Sequence, residues 1–488
     1  MIAEICNHCG HVGTLCLALT NTLPRTLYFG SSKFKKSSIP KTVTYVVVSE
    51  YSQKCIRENS FRSSVTSIRF NGDFHLGDDT DVLPPKLQIL DVAGTMTIRH
   101  RMLPPTLTSL KMTGTQNNMP IKVGTFPEGL LELSFSISEL KPGLLPESLQ
   151  SLTFGSLFNQ EIAPGLLPPS LTLLSLGSMF NQEIAVGVLP ASLTSLSFGA
   201  LFNKPLINQE GVSILPQHLT SLSFVSYNHP LPALPASMTN LDLGNKFKHP
   251  MEVPQSLTSL ALGPVMYDHA LILPTSLTSL KFTQEFNKKV TIGSLPQSLT
   301  SVLFGDKFNE PILPGSLPNS ITHLTFGHSF YPVIFQDGAL PASLTSLIIE
   351  SSRIDHNMEL PDQIKHLSVP YFIPKKCLPR GLKNLTITLA HTPIGTLKTV
   401  HLDSLAIQIK TREFSLALWL YRRLNAKIPN VGTYRFQHKR EHFADFTRIG
   451  NDWLLLTFKW GGVRTFGFHF FVEEPIPKKS YYSGGYYY

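Results

Sequence analysis

Charged side chains and cysteines are both scarce in this chain. Only 15% of the 488 residues are charged, and five are cysteines. Five cysteines in so long a chain do not form a disulfide framework, which favours a reducing compartment and predicts a cytoplasmic location. The apolar stretch at residues 12–20 lacks a preceding basic segment and is far shorter than a membrane span. The sequence therefore predicts neither a signal peptide nor a transmembrane helix.

Motifs of known catalytic sites are also missing from the sequence. We find no Walker loop, no H-E-x-x-H, no G-x-S-x-G and no dinucleotide fingerprint. The 17 histidines lie at scattered positions, as ordinary polar residues do. The sequence therefore predicts a protein that is not an enzyme and needs no cofactor.

Three of the cysteines lie close together near the N-terminus, in CNHCGHVGTLC. Cys6, Cys9, His11 and Cys16 supply ligand types that zinc prefers. Their spacing is crowded, however, with a single residue between Cys9 and His11. The crowding favours an irregular N-terminal segment, or cap, over a metal site, and these four residues remain the candidate ligands.

Glycine and proline are abundant, and the prolines recur at a regular interval. The 32 glycines and 37 prolines argue against a helix-rich fold, because proline inside a helix removes a hydrogen bond. Prolines mostly 18 to 23 residues apart, with Arg62 in one proline position, define 18 units, and such a period is typical of a solenoid. The anchoring prolines are Pro24, Pro40, Pro84, Pro104, Pro127, Pro146, Pro168, Pro190, Pro216, Pro235, Pro254, Pro274, Pro296, Pro318, Pro341, Pro361 and Pro379.

Each unit follows the pattern LPxSLTSLxFG, which the fullest copies continue as xxFNxPI. Counted from the proline as zero, apolar residues fall at positions 3, 6 and 8, as in Leu149, Leu152 and Phe154. The spacing of two predicts one short strand per unit, and the following glycine, such as Gly155, allows a sharp turn. The recurring Phe-Asn pair predicts a turn or a stacked ladder of asparagines rather than a catalytic group.

A single unit is too small to fold alone. Burying its few large apolar side chains contributes about 6 to 12 kcal/mol, whereas ordering some 20 residues costs roughly 1 to 2 kcal/mol each. Stacked units with parallel strands can share one continuous core. The sequence therefore predicts a repeat solenoid with one short parallel strand per unit of about 22 residues. The connections should be extended chain or short turns with few helices.

This repeat resembles that of the FNIP repeat family, a leucine-rich-repeat-like group, over about residues 22–398. Some copies depart from the pattern, with Tyr227-Asn228, Phe247-Lys248 and Tyr267-Asp268 in the place of Phe-Asn. The resemblance implies a leucine-rich-repeat-like solenoid and a role in protein interaction. Family members often carry an N-terminal F-box that recruits a ubiquitin ligase, but only about 20 residues precede the first unit here. Substrate recognition for ubiquitination is therefore an expectation by analogy alone.

Positions 5 and 7 of each unit should point outward on the sheet face. Most are small polar residues, such as Ser151 and Thr153, which predicts a solvated ladder of hydroxyl groups. Larger residues interrupt the ladder, and we take them as candidate contacts to a protein or peptide partner, although aromatic anchors are largely missing. These candidates are Arg69, Asp91, Lys111, Glu132, Asp242, Lys281, Leu303, His323 and His366.

The period ends near residue 399, and a different module follows. Residues 411–424 have the apolar spacing of a helix, and Gly461-Gly462 favours a hairpin between two strands. We interpret the module as a small α+β cap on the end of the solenoid. The predicted organisation is an N-terminal cap or irregular segment, the solenoid, the cap and a disordered tail, at residues 1–21, 22–398, 399–475 and 476–488.

Two functions remain open from the sequence. The first is a non-enzymatic scaffold that binds a protein or peptide partner on the sheet face. The second is a nucleic-acid-binding protein that acts through basic residues of the C-terminal module, although no recognisable nucleic-acid motif accompanies them. The oligomeric state is open. The basic residues are Lys410, Arg412, Arg422, Arg423, Lys427, Arg435, Lys439, Arg440 and Arg448.

Overall fold

The computed structural model divides into two compact units, residues 1–382 and 383–488. For residues 16–17, 26–29, 438, 442, 448–449, 453–460 and 463–470 only the backbone is described. The structure describes residues 16–17, 26–29, 43–48, 60–73, 82–94, 98, 100, 102–112, 114, 121–137, 139–263, 272–331, 338–352, 359–371, 373–388, 400–408, 421, 424–425, 428, 430–438, 442–449, 453–460 and 463–470.

The first unit is a stack of short parallel strands. From β2 to β18 each strand pairs in parallel with the next, and β1 pairs antiparallel with β2. The strands β1 to β18 are Cys16–Leu17, Thr26–Phe29, Tyr45–Val48, Ser67–Phe70, Ile89–Val92, Ser109–Met112, Glu132–Phe135, Ser151–Phe154, Leu173–Ser175, Ser195–Ser197, Ser221–Ser223, Asn240–Asp242, Ser259–Leu262, Ser279–Phe282, Ser301–Phe304, His323–Phe326, Ser346–Ile349 and His366–Val369.

From β3 onward the strand register follows the sequence repeat. In the first repeat unit the predicted register is wrong by three residues, because Thr26, at position 2 from Pro24, lies opposite Tyr45, at position 5 from Pro40. Leu152 on β8 lies opposite Leu133 on β7 and Leu174 on β9, so position 6 stacks on position 6. Positions 3, 6 and 8 are buried, as in Leu149 and Phe154. The apolar spacing therefore positions one continuous core along the stack, and the predicted leucine-rich-repeat-like solenoid of short parallel strands is confirmed.

Phenylalanine rings from successive units stack inside this core. The ring of Phe180 lies between those of Phe158 and Phe202, with centroids 5.9 and 6.0 Å away. Phe154, at the end of its strand, stacks on Phe158 at 3.9 Å. The Phe of the Phe-Asn pair is thus a core residue, because it fills the space beside the position 8 ring of its own unit.

The asparagine of the same pair connects one unit to the next. Asn181 N–H donates to Oδ1 of Asn159 at 2.9 Å, and Asn203 N–H donates to Oδ1 of Asn181 at 3.0 Å. Asn228 continues the series through a 2.8 Å bond to Oδ1 of Asn203. These side chains satisfy backbone N–H groups that no strand partner reaches, so the predicted asparagine ladder is confirmed.

Hydroxyl groups at positions 2 and 4 form two further ladders. Ser298 Oγ donates to the carbonyl oxygen of Leu277 at 2.6 Å, one unit earlier. Thr300 Oγ1 donates to the carbonyl oxygen of Thr278 at 3.2 Å. The serine and threonine of the SLT segment therefore connect neighbouring units, because both hydroxyls donate hydrogen bonds to main-chain carbonyl oxygens of the preceding unit.

The glycine after each strand is needed for close packing. Gly177 is not among the glycines with positive φ, but a Cβ built on it would lie 1.9 Å from the carbonyl oxygen of Gly155. A real Cβ cannot approach a backbone atom so closely. The glycine is therefore required by the contact between neighbouring turns rather than by the sharp turn that the sequence predicts.

Helical structure is almost absent from the described part of the first unit. It contains one short 3-10 turn at Lys375–Cys377 and no α-helix among the described residues. The connections are extended chain and short turns, as the proline content predicted. No helix among the residues described in either unit is long and apolar enough to cross a bilayer.

The second unit has longer strands and a change of direction. Strands β19, β20 and β21 are parallel, and β21 to β24 form an antiparallel meander. Trp460 lies opposite Val463, so the predicted two-residue hairpin is confirmed. The predicted boundary near residue 399 falls inside this unit. The strands β19 to β24 are Asn384–Ile387, Leu402–Gln408, Val431–His438, His442–Ile449, Trp453–Trp460 and Val463–Phe470.

Most of the helix predicted for residues 411–424 lies outside the described residues. Tyr421, Leu424 and Asn425 are described, and they are helical. Tyr421 is buried and its ring stacks on Phe446 at 4.9 Å. The last residues of the predicted helix therefore contribute to a core shared with the antiparallel strands.

Candidate functional site

The outward face of the first unit's sheet consists of two rows of side chains. Position 5 residues stack on one another, as Ser67, Ile89 and Ser109 do, and position 7 residues form the second row. Position 6 points into the core, so the rows at 5 and 7 must point away from it. All nine residues that we predicted as partner contacts lie in these two rows.

Four of the predicted contacts lie together at the N-terminal end of the face. The backbone pairings place Arg69, Asp91 and Lys111 side by side in the position 7 row, and Glu132 follows Ser109 in the position 5 row. Arg69 Nη1 lies 3.3 Å from Asp91 Oδ2. Together with Ile89, these four charged residues form what we call the N-terminal patch.

The two exposed charges of the N-terminal patch differ in their surroundings. Glu132 accepts a 3.0 Å hydrogen bond from Ser109 Oγ. Lys111 is exposed and forms no ion pair with any residue that the structure describes. An ammonium group of this kind keeps its full capacity to bind an acidic partner.

One border of the N-terminal patch carries an aromatic ring. Tyr45, on β3, is half-buried, and Val47 beside it is completely buried. Burial raises the pKa of the Tyr45 hydroxyl, the positive charge of Arg69 opposes the increase, and Asp91 adds to it. The phenol is therefore close enough to Arg69 and Asp91 to sense both charges, and it stays neutral at physiological pH.

The middle of the face is lined mainly by small polar residues. Ser223 Oγ donates to Ser197 Oγ at 2.8 Å, which is one rung of the predicted hydroxyl ladder. Asp242, one of the predicted contacts, accepts a 2.9 Å hydrogen bond from the N–H of Gly244. Gly244 has a φ of 64°, so this carboxylate helps to hold a turn that glycine favours.

The remaining predicted contacts lie toward the C-terminal end of the face. Lys281 pairs with Ala261 on one side and Leu303 on the other in the position 7 row. Lys281 is exposed and Leu303 is half-buried. Thr322 Oγ1 and His323 Nδ1 are 2.8 Å apart. Lys281, Leu303, His323 and His366 form a second group, the C-terminal patch.

Four large side chains of the same two rows escaped the sequence interpretation. Ile89 is 45% exposed and Leu173 is 38% exposed, both at position 5. Tyr45 and Ile348 occupy the corresponding outward positions of β3 and β17. The repeat register carries the signal for them, because positions 5 and 7 face outward whichever residue occupies them.

The predicted N-terminal metal site cannot be placed on this framework. Cys6, Cys9 and His11 lie outside the described residues, and Cys16 is described only as backbone in β1. The zinc-site interpretation therefore stays a prediction.

Eight of the nine basic side chains of the C-terminal module also lie outside the described part of the structure. The ninth, Arg435, forms two hydrogen bonds of 2.7 Å with the carboxylate of Asp445, and its guanidinium lies 4.4 Å from the ring centroid of Phe443. The hydrogen bond and charge of Asp445 raise the pKa of Arg435. This arginine is thus engaged inside its own sheet.

Comparison with known proteins agrees with this geometry. The FNIP Repeat family matches residues 138–179, 180–226, 267–307 and 308–352. The solved structure of CroV588, described as a novel circular LRR protein, is similar with 31% identity and a TM-score of 0.52, covering 78% of this chain and 58% of that one. No curated protein matches the chain. The chain carries FNIP repeats in a leucine-rich-repeat-like solenoid.

Proposed function

We propose that the chain is a non-enzymatic interaction scaffold that binds a protein partner on the outward face of its sheet. The N-terminal patch is the contact that we assign to the partner, and the observation that carries the proposal is the juxtaposition of Ile89 and Lys111 there. Ile89 is an exposed apolar side chain in the position 5 row, and Lys111 lies diagonally from it, in the position 7 row of the next strand. Lys111 is an exposed cation that no described residue neutralises. Interfaces combine such apolar anchors with charges that steer the partner.

The chemistry of the patch specifies the partner. Lys111 requires a carboxylate, and Ile89 requires an apolar side chain on the same segment of the partner. Arg69 and Asp91 neutralise each other at 3.3 Å and define the border of the site. A protein segment that presents an acidic residue next to an apolar one therefore fits the N-terminal patch.

The remaining face supports an extended contact. The central serine and threonine rows present hydroxyls but few bulky groups, so a partner can lie along them without a steric barrier. Lys281 offers a second exposed cation with no described ion-pair partner, and Leu303 lies beside it. A partner long enough to reach both patches would gain affinity from two linked contacts.

Affinity capture with the full chain tests this assignment when the proteins recovered by two variants are compared. The variant I89S/K111E removes the apolar anchor and reverses the free charge, whereas K122E makes the same charge change at an exposed lysine outside the face. Loss of one captured protein with I89S/K111E, but not with K122E, supports the proposal. Equal recovery with both variants would contradict it.

Two finer assignments accompany the proposal. Substrate recognition for ubiquitination is supported only by the resemblance to FNIP proteins, and it predicts that a ligase adaptor is recovered with the bound partner. A cytoplasmic location is supported by the low cysteine count. Nucleic-acid binding stays the alternative; the one basic side chain of its nine candidates that the structure describes, Arg435, is held by Asp445. Steeply salt-dependent nucleic-acid affinity that requires residues 410–448 would support that alternative.

A further inference from the structure

Three potential metal ligands from consecutive repeats meet just beyond the ends of β15, β16 and β17. Asp306 and His328 each follow the glycine after their strand, and Glu350 follows β17 directly. One ligand atom from each residue lies within 4.8 Å of the other two. Because the three residues lie one repeat apart, the stacking of the solenoid brings them together.

We propose that Asp306, His328 and Glu350 form a binding site for a divalent transition-metal ion of the zinc type. The imidazole Nδ1 of His328 lies 2.9 Å from Asp306 Oδ1 and 3.3 Å from Glu350 Oε2. Ligand atoms around a tetrahedral zinc ion are separated by roughly 3.3 Å, given metal–ligand bonds of about 2.0 to 2.2 Å. The two distances to Nδ1 are thus close to those that the ion requires.

Hydrogen bonds between repeats fix the backbone of this cluster. Ser329 N–H, next to His328, donates to the carbonyl oxygen of Asp306 at 2.8 Å. Glu350 N–H donates to the carbonyl oxygen of Phe326 at 2.9 Å. The backbones are therefore held in place, and only the side chains need to rotate to bring the two carboxylates closer together.

The charges around the cluster also favour a cation. Lys307 follows Asp306 in the chain, but its Nζ binds Glu285 Oε2 at 2.5 Å. Among the described residues, the imidazole of His328 is the one group that forms ion-pair contacts with the two carboxylates of the cluster. A metal ion would replace the proton on that imidazole and neutralise both carboxylates.

The ligand set selects the class of ion. Imidazole nitrogen suits zinc, copper, iron and nickel, whereas sites for calcium and magnesium are built from oxygen ligands. One imidazole and two carboxylates leave a coordination position for water, because three protein ligands do not complete a tetrahedron. The site should therefore prefer zinc or cobalt to calcium.

Calorimetric titration of the full chain with Zn²⁺ tests the proposal, with the cysteines alkylated first so that the N-terminal thiols cannot bind the metal. The variant H328Q should lower the number of bound ions by one, or weaken binding by more than about tenfold, since loss of even an outer-sphere partner costs that much. H218Q, at an exposed histidine in an earlier repeat, is the matched control and should bind as the wild type does.

Two further readouts separate a metal site from a surface ion pair. Co²⁺ should give ligand-field absorption without thiolate charge-transfer bands, and H328Q should abolish it. Zinc affinity should fall as the pH is lowered, because protons compete with the metal ion for Nδ1 of His328. Identical zinc isotherms for the wild type and H328Q would overturn the proposal, as would Ca²⁺ binding at least as tight as Zn²⁺ binding.

Discussion

Oδ1 of Asn287 accepts a hydrogen bond of 2.8 Å from the backbone N–H of Asn309, a residue 22 positions further along the chain. The distance in sequence equals one repeat. Asn309 in turn accepts a 3.0 Å bond from Tyr331 N–H. Each asparagine side chain thus accepts a hydrogen bond from the following repeat. Replacing one asparagine should therefore affect mainly the backbone of the next repeat.

The variant N287A should expose the N–H of Asn309 without disturbing the core. We expect a loss of about 1 kcal/mol in the free energy of unfolding, the usual contribution of one such hydrogen bond. Hydrogen exchange of the Asn309 amide should accelerate. N287D retains an acceptor and should largely preserve protection of that amide; equal acceleration in both variants would contradict the ladder.

Phe180 is the best position to test the stacked core. It is fully buried between two rings, so F180A should lower the free energy of unfolding by about 3 to 5 kcal/mol. Leu201 is 54% exposed, and L201A should change the free energy of unfolding by no more than about 0.5 kcal/mol. Chemical denaturation of both variants gives the comparison. Similar losses for the two would mean that the stack does not form.

Two glycine substitutions distinguish the effect of close packing from the effect of backbone conformation. G177A should be severely destabilising, because its Cβ would meet the Gly155 carbonyl oxygen at 1.9 Å. Gly187 has a φ of 83° and open space around it, so G187A should cost only about 1 to 2 kcal/mol of conformational strain. Thermal unfolding of both variants measures the difference. A larger loss for G187A would contradict the packing role of the glycine after the strand.

Two serines of one repeat should respond differently to the same substitution. Ser298 Oγ donates to Leu277 at 2.6 Å, so S298A should cost about 1 kcal/mol in unfolding free energy. Ser301 lies on the outward face, and its side chain forms no hydrogen bond with any residue that the structure describes. S301A should therefore be close to neutral in urea denaturation. If S301A were more destabilising than S298A, the roles assigned to positions 2 and 5 would be wrong.

The repeat made most of the fold predictable. Spacing alone predicted Leu152 and Phe154 as core residues and placed Asn181 in a turn or an asparagine ladder, because stacked copies must repeat the same contacts. The hairpin between Trp460 and Val463 followed from two glycines. These features depend on short-range pattern and on periodicity, both of which are visible in one sequence.

Features outside the repeat could not be predicted in the same way. Strands β20, β21 and β22 lack the Leu-Pro anchor, and the parallel pairing of β20 with β21 joins segments that are separated by residues 409–430. The function of Asp242 as a turn acceptor needed the conformation of Gly244. The cluster of Asp306, His328 and Glu350 was missed because Glu350 follows its strand without the usual glycine, so the three residues do not share one repeat position.

The most direct test of the proposed binding face is lysine labelling of the full chain with and without its captured partner. Reductive methylation reports the accessibility of each ammonium group. Lys111 lies in the N-terminal patch, and Lys122 is exposed away from the face. We expect partner binding to protect Lys111 and leave Lys122 fully reactive. Protection of Lys122 with unchanged labelling of Lys111 would contradict the account.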